Sequence, residues 1–176
     1  TRDTDGDGIP DTMNERKGPY LDLATTSVFK VGELFPVNIA GTLALDTHVI
    51  CDVFAARKVR LSSSGKTANA GAPILYYRAN TAEKRIDTIY NIQDNDAFVQ
   101  MKQLFDGRDH PLGRGTLADR AAFFYGNPND PLATGYIQNP KVTARAWPYR
   151  PDSYILISAG SDGLYGTNDD IRNFGN

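Results

Sequence analysis

Carboxylates and glycines gather at two places in this chain, at spacings that let oxygen atoms converge on one point. One is Asp3-Thr4-Asp5-Gly6-Asp7-Gly8-Ile9-Pro10-Asp11, and the other is Ser161-Asp162-Gly163-Leu164-Tyr165-Gly166-Thr167-Asn168-Asp169-Asp170. Converging carboxylate and carbonyl oxygens are what a hard divalent cation such as calcium requires. In the opening loop Asp3, Asp5, Asp7 and Asp11 occupy positions 1, 3, 5 and 9, with Asn14 at position 12. Alternate residues of a tightly wound loop face inward, so three carboxylates and the Ile9 carbonyl can meet one ion, with Gly8 at the bend. Glu15 falls one place late for the last ligand of a helix–loop–helix calcium hand, and Pro10 opposes that geometry. The competing reading is a solvated acidic turn, because Asp-Gly pairs mark turns. The odd spacing of the aspartates favours the metal.

The closing loop follows a strand candidate and turns at Gly160. Gly163, Gly166 and the small Thr167 let the chain double back, which brings Asp169 and Asp170 toward Asp162. Two or three carboxylates cannot fill a calcium shell, so backbone carbonyls must complete it. Taken alone, this loop reads equally as a metal site or as a hairpin-like turn.

Catalytic patterns are not evident. The only histidines are His48 and His110, and they lack metal-ligand spacing. No Ser-x-x-Lys or Gly-x-Ser-x-Gly sequence occurs, and Gly163 to Gly166 lacks the Lys and following helix of a phosphate cradle. Paired acids of the glycosidase kind are compatible with 21 acidic residues but marked by no spacing. Asp94 and Asp96 read as a turn and a helix cap. Cys51, the single cysteine, excludes an internal disulfide and reads as a buried small hydrophobe. A net charge of −2 with scattered Lys and Arg gives no reason to expect nucleic acid or an anionic membrane. Calcium loops are used where calcium is plentiful, so export is expected despite the missing disulfide. There is no signal peptide and no apolar run long enough to span a bilayer. The chain begins at Thr1, which suggests processing, with any anchor or export segment upstream.

Elements must hold these loops. Tyr20 to Leu23 reads as extended, and Thr26-Ser27 offers a cap for a brief helix through Val28 to Val31. Thr47 to Phe54 reads as a strand and Lys58 to Leu61 as its neighbour, followed by an exposed connection from Ser62 to Gly71. Pro73 to Arg78 is a strong strand candidate, with proline at a first position that tolerates a missing donor. Asp96 is placed to cap a helix from Ala97 to Phe105, and Thr116 to introduce another from Leu117 to Tyr125, stopped by Gly126-Asn127-Pro128. Tyr76, Tyr77, Phe123, Phe124 and Tyr125 fall inside these elements and read as core. Trp147 and Tyr149, between prolines, read as packed against the sheet. Ser153 to Ser158 is a clear strand running into the closing loop. Short strands and helices without a βαβ rhythm give an α+β class with a small antiparallel sheet in a single domain, 1–176.

The opening spacing resembles the calcium-binding repeats of thrombospondin type 3 and dockerin modules. Tyr154-Ile155-Leu156-Ile157-Ser158-Ala159-Gly160-Ser161-Asp162-Gly163, then Gly166-Thr167, Asp169-Asp170-Ile171 and Asn173-Phe174, resembles the C-terminal calcium loop of the major pseudopilins of type II secretion. Pro73 to Arg78 is similar to that family's Asn-Pro-x-x-Tyr strand. The resemblance implies side-chain ligands at Asp162 and Asp169, with Asp170 as a further candidate, completed by the carbonyls of Ala159 and Leu164. It also implies a pilin-like fold. Three features depart from the pattern: the N-terminal hydrophobic helix is absent, the opening loop (1–15) is additional, and a helical insertion spans 79–152 before the final strand and loop at 153–176.

The expected protein is therefore the soluble part of a non-catalytic filament subunit that binds two calcium ions. It would associate with itself and with other pseudopilins, without nucleic acid, and meet a membrane only through a missing N-terminal helix. The expected place is periplasmic or extracellular, with inner-membrane anchoring before assembly. The alternatives are a secreted calcium-dependent adhesin or carbohydrate-binding module using the insertion as its surface, and then a calcium-stabilised hydrolase.

Overall fold

The computed structural model describes residues 27–35, 43–62, 64–102, 107–127 and 134–175. The opening loop, with Asp3, Asp5, Asp7, Ile9, Asp11 and Asn14, and the extended stretch Tyr20 to Leu23 lie outside them.

Seven short strands and four short helices make an α+β arrangement among the described residues: β1 (Val28–Lys30), α1 (Val31–Leu34), β2 (His48–Ile50), β3 (Arg57–Arg60), β4 (Thr67–Ala70), β5 (Leu75–Arg78), α2 (Ile86–Ile89), α3 (Asp96–Val99), α4 (Leu117–Tyr125), β6 (Tyr154–Ser158) and β7 (Ile171–Arg172). Turns of 3-10 helix at Ile92–Asn95 and Pro111–Gly113 join the middle elements.

The sheet that matters for the closing loop has the order β5-β6-β7, antiparallel throughout. Alternation forms it. Leu75 and Tyr77 on β5 and Ile155 and Ile157 on β6 point to one face and are fully buried, while Tyr76, Arg78 and Tyr154 are exposed. That inner face packs against residues 79–152, including Ile89, Val99, Leu112, Phe124 and Ile137, in the larger of two hydrophobic clusters. Each fully buried residue of that size contributes roughly 1.5–3 kcal/mol, so the middle of the chain is the lid of the main core. Trp147 and Tyr149 pack at its edge.

α4 forms where its signals place it. The Thr116 hydroxyl accepts from the Asp119 amide (3.2 Å), the Asp119 carboxylate accepts from the Thr116 amide (2.8 Å), and Gly126 ends the helix at φ +95°.

Five local expectations are corrected. Val28–Lys30 is a strand, not a capped helix, because Val28 and Phe29 pair with Ile50 and Val49 of β2; only Val31–Leu34 turns helical. Lys58 to Leu61 does not neighbour the Thr47–Phe54 segment. β3 pairs instead with β4, which is formed by the second half of the expected Ser62–Gly71 connection, and the Leu61 amide closes this hairpin on the Lys66 carbonyl (2.8 Å). α3 stops at Val99; Met101 and Lys102 are not helical, and 103–106 lie outside the described residues. There the turn at Pro111–Gly113 abuts the helix end, so that a Cβ on Gly113 would lie 1.7 Å from the Val99 carbonyl oxygen. Asp96 does not cap that helix, because its carboxylate pairs with Arg120 of α4. Finally, Tyr76 and Phe123 are exposed rather than core, whereas Tyr77, Phe124 and Tyr125 are buried.

The second cluster gathers Phe29, Val31, Leu34, Cys51, Val59 and Ala70 between the two hairpins, and Phe98 packs against both clusters. Among the described residues no helix is long and apolar enough to cross a membrane.

Candidate metal centre

The closing loop, 159–170, leaves β6 and returns as β7, so antiparallel pairing fixes both of its ends. Ala159 is fully buried at the end of β6. Gly160 then turns at φ +62°, and a Cβ there would lie 2.3 Å from the Asp169 carbonyl oxygen and 2.9 Å from its Oδ2. Only glycine lets the two ends of the loop come this close.

Within the loop the three aspartates take different depths. Asp169 is exposed, Asp162 is half-buried and Asp170 is buried. Asp169 Oδ2 accepts from the Ser161 hydroxyl (2.7 Å) and the Asp162 amide (3.0 Å), and its Oδ1 accepts from the Thr167 hydroxyl (2.5 Å). These bonds, the Thr167 hydroxyl foremost, hold its pKa at about 2. Asp162 Oδ1 accepts from the Leu164 amide (2.8 Å). Asp170 Oδ2 accepts from the Gly166 amide (2.7 Å) and from the Tyr136 hydroxyl. Burial raises the pKa of Asp170, and the bonds from Tyr136 and Gly166 oppose that rise.

Four oxygens of the loop gather at one hydroxyl. Thr167 Oγ1 lies 2.5 Å from Asp169 Oδ1, 3.2 Å from the Leu164 carbonyl, 3.4 Å from Asp170 Oδ1 and 3.5 Å from Asp162 Oδ1. A hydroxyl has one hydrogen to give, so it serves one of these four acceptors at a time. The other acceptors, mostly carboxylate, lie around that hydroxyl without its hydrogen. The donor set is oxygen only, which fits a hard cation in chemistry. The distances are those of hydrogen bonds to Thr167. Among the described residues, no three His, Cys, Asp or Glu side chains form a group ready to hold a metal.

No protein-family model matches this chain, and no curated protein or solved structure matches it either.

Of the residues expected at the closing loop, Asp162, Leu164, Asp169 and Asp170 thus meet at one hydroxyl. Ala159 stands just before them, with its amide turned to Asp52. Two participants escaped the sequence reading. Thr167 was valued there for its small size alone, although a hydroxyl amid aspartates is a usable signal. Tyr136 lies 34 positions from Asp170, and no local pattern announces it.

Residues 79–152 also hold the loop at its middle. Tyr165 is almost fully buried, its amide donates to His110 Nδ1 (3.2 Å), and its carbonyl accepts from the Leu112 amide (3.1 Å). The two rings stand 4.8 Å apart, and the Tyr165 hydroxyl donates to the Pro73 carbonyl. His48 is exposed on β2, where it pairs with Lys30, and makes none of these contacts. Cys51 is buried, and burial, with help from Asp52, pushes its thiol up to about 12, which keeps it protonated.

Elsewhere, an open groove of about 1060 Å³ runs between α2, α4 and residues 134–146, and Lys84, Arg85, Arg145, Ala121, Ala122 and Tyr125 are among the residues that line it. The Arg145 guanidinium lies 3.8 Å from the centre of the Trp147 ring and covers one of its faces.

Proposed function

We propose that this chain is the soluble part of a pilin-like subunit, of the type II secretion pseudopilin kind, in which calcium ties the closing loop to the sheet. The observation that carries the reading is the meeting of Asp162, Leu164, Asp169 and Asp170 oxygens around Thr167 Oγ1, in a loop anchored at both ends by antiparallel strands. Asp162, Asp169 and Asp170 would hold the ion, with the Leu164 and Ala159 carbonyls completing the shell. When bound, calcium neutralises carboxylates that otherwise repel and rigidifies the surface this loop presents. The opening loop, through Asp3, Asp5, Asp7, Ile9, Asp11 and Asn14, would take a second ion. The protein is then a non-catalytic building block that packs against its own copies and other pseudopilins in a periplasmic or extracellular filament, through an upstream anchor helix.

The test is a melting scan with excess calcium and with EDTA. An ion present at about one hundred times its dissociation constant adds about 2.7 kcal/mol, or roughly 5–10 °C in a chain of this size. The Asp162→Ala, Asp169→Ala double variant should lose most of that increment, and the parent subunit carrying it should assemble poorly. Identical melting of the wild type in calcium and EDTA would remove the calcium role.

A second reading, a secreted calcium-dependent adhesin or carbohydrate-binding module, draws on the groove beside α4. Specific glycan binding abolished by Arg145→Ala would favour it over the filament subunit.

A further inference from the structure

Residues 79–152 do more than close the core, because one of their side chains reaches the proposed calcium loop itself. Asp170 is 9% exposed and buried against this segment. Its two oxygens are used differently. Oδ2 is taken by the Tyr136 hydroxyl and the Gly166 amide, whereas Oδ1 lies 3.4 Å from Thr167 Oγ1, on the side where the Asp162, Leu164 and Asp169 oxygens meet. A carboxylate gripped at one oxygen cannot rotate freely, so the grip decides where the other oxygen points.

The Tyr136 ring is itself held. It stacks on Phe123 of α4 at 5.7 Å, meets Phe174 edge-on at 6.2 Å, and carries the Arg172 guanidinium 4.9 Å above its face. The Tyr136 amide also donates to the Phe123 carbonyl (2.9 Å), which fastens its backbone to the end of α4. The hydroxyl is thus presented to Asp170 by a rigid support on both backbone and ring.

We propose that Tyr136 is a positioning residue for the cation site: it orients Asp170 from outside the loop and so sets the loop's affinity for calcium. This rests on the reading of the closing loop as a calcium site. Partners that orient metal ligands from the outer shell change affinity by roughly 10–100-fold when removed, and Tyr136 stands in that relation to Asp170. It would make the middle segment a determinant of cation affinity, with α4 and the loop linked through one aromatic side chain.

The experiment is a calcium chloride titration by calorimetry on wild type, Tyr136→Phe, Asp170→Asn and the double variant, each stripped with EDTA and dialysed, with melting recorded in EDTA. Phenylalanine keeps every ring contact, so the fold is expected to survive. Tyr136→Phe should weaken calcium binding about 10-fold. In the Asp170→Asn background the same substitution should change affinity less than about twofold, because the group it orients is already altered. A merely structural Tyr136 would lower melting in EDTA and leave the dissociation constant alone. Unchanged affinity in Tyr136→Phe while the wild type binds overturns this inference and leaves the calcium reading standing. Independent, multiplying effects in the double variant also overturn it. Absence of binding by the wild type overturns both.

Discussion

His110 shows how one side chain can make the closing loop sensitive to acid. Only 6% of it is exposed, and burial pushes its pKa down to about 4 against the opposing effect of Asp109. Its neutral Nδ1 accepts from the Tyr165 amide, which a protonated ring cannot do. Between pH 6.5 and about 4 the unfolded chain binds a proton at this position that the folded chain refuses. Stability therefore rises with pH across that window and is lost as pH falls through it, by about 3 kcal/mol in all. Glutamine offers the amide an acceptor but cannot titrate. Urea unfolding at pH 7 and pH 4.5 should accordingly show a fall in the wild type that exceeds the fall in His110→Gln by about 2 kcal/mol. Parallel profiles would mean that His110 titrates as it does in the unfolded chain.

Between elements, one polar fastening is Asp52, just beyond β2. Its Oδ1 accepts from the Phe54 and Ala72 amides (both 3.1 Å), and its Oδ2 accepts from the Ser158 hydroxyl of β6 (2.6 Å). One buried carboxylate thus joins the end of the β1–β2 hairpin, the link from β4 into β5, and the strand that leads into the closing loop. Burial raises its pKa, and the Ser158 hydroxyl leads the bonds that oppose the rise. Asp52→Ala leaves several buried donors without an acceptor and should lower stability by about 3 kcal/mol. Asp52→Asn keeps an acceptor and adds a donor for Ser158, so it should lose only about 1 kcal/mol. Equal losses in the two variants, measured by urea denaturation, would show that packing and not this bonding matters. In the sequence Asp52 is only a polar residue inside an apolar run, because its partners lie up to 106 positions away.

At the scale of the molecule, the described residues of 79–152 are built into the core and do not hang from it. Arg78 of β5 sits opposite Tyr154 of β6, so the segment departs and returns at neighbouring strand ends. A short turn can therefore replace it without straining the sheet. Such a deletion would nonetheless strip the cover from Leu75, Tyr77, Ile155 and Ile157 and remove the partners of Tyr165 and Asp170. A chain lacking 79–152 should show no cooperative thermal transition and should bind a hydrophobic dye. A sharp transition with native-like near-ultraviolet dichroism would instead make the segment a separable appendage.

Whatever depends on neighbours in sequence could be read from the chain alone. The oxygen donors at 162–170, the alternation that makes β5 and β6, and the capped helix Leu117–Tyr125 are set by residues a few positions apart. Tertiary structure decided the rest. It turned Val28–Lys30 into a strand, gave β3 its partner β4, ended α3 early, and brought His110 and Tyr136 to the closing loop. Local preferences differ by about 1 kcal/mol or less per residue, whereas pairing and burial against distant chain are worth more. A segment therefore takes the conformation its remote partners favour, and those partners are known only once the chain is folded.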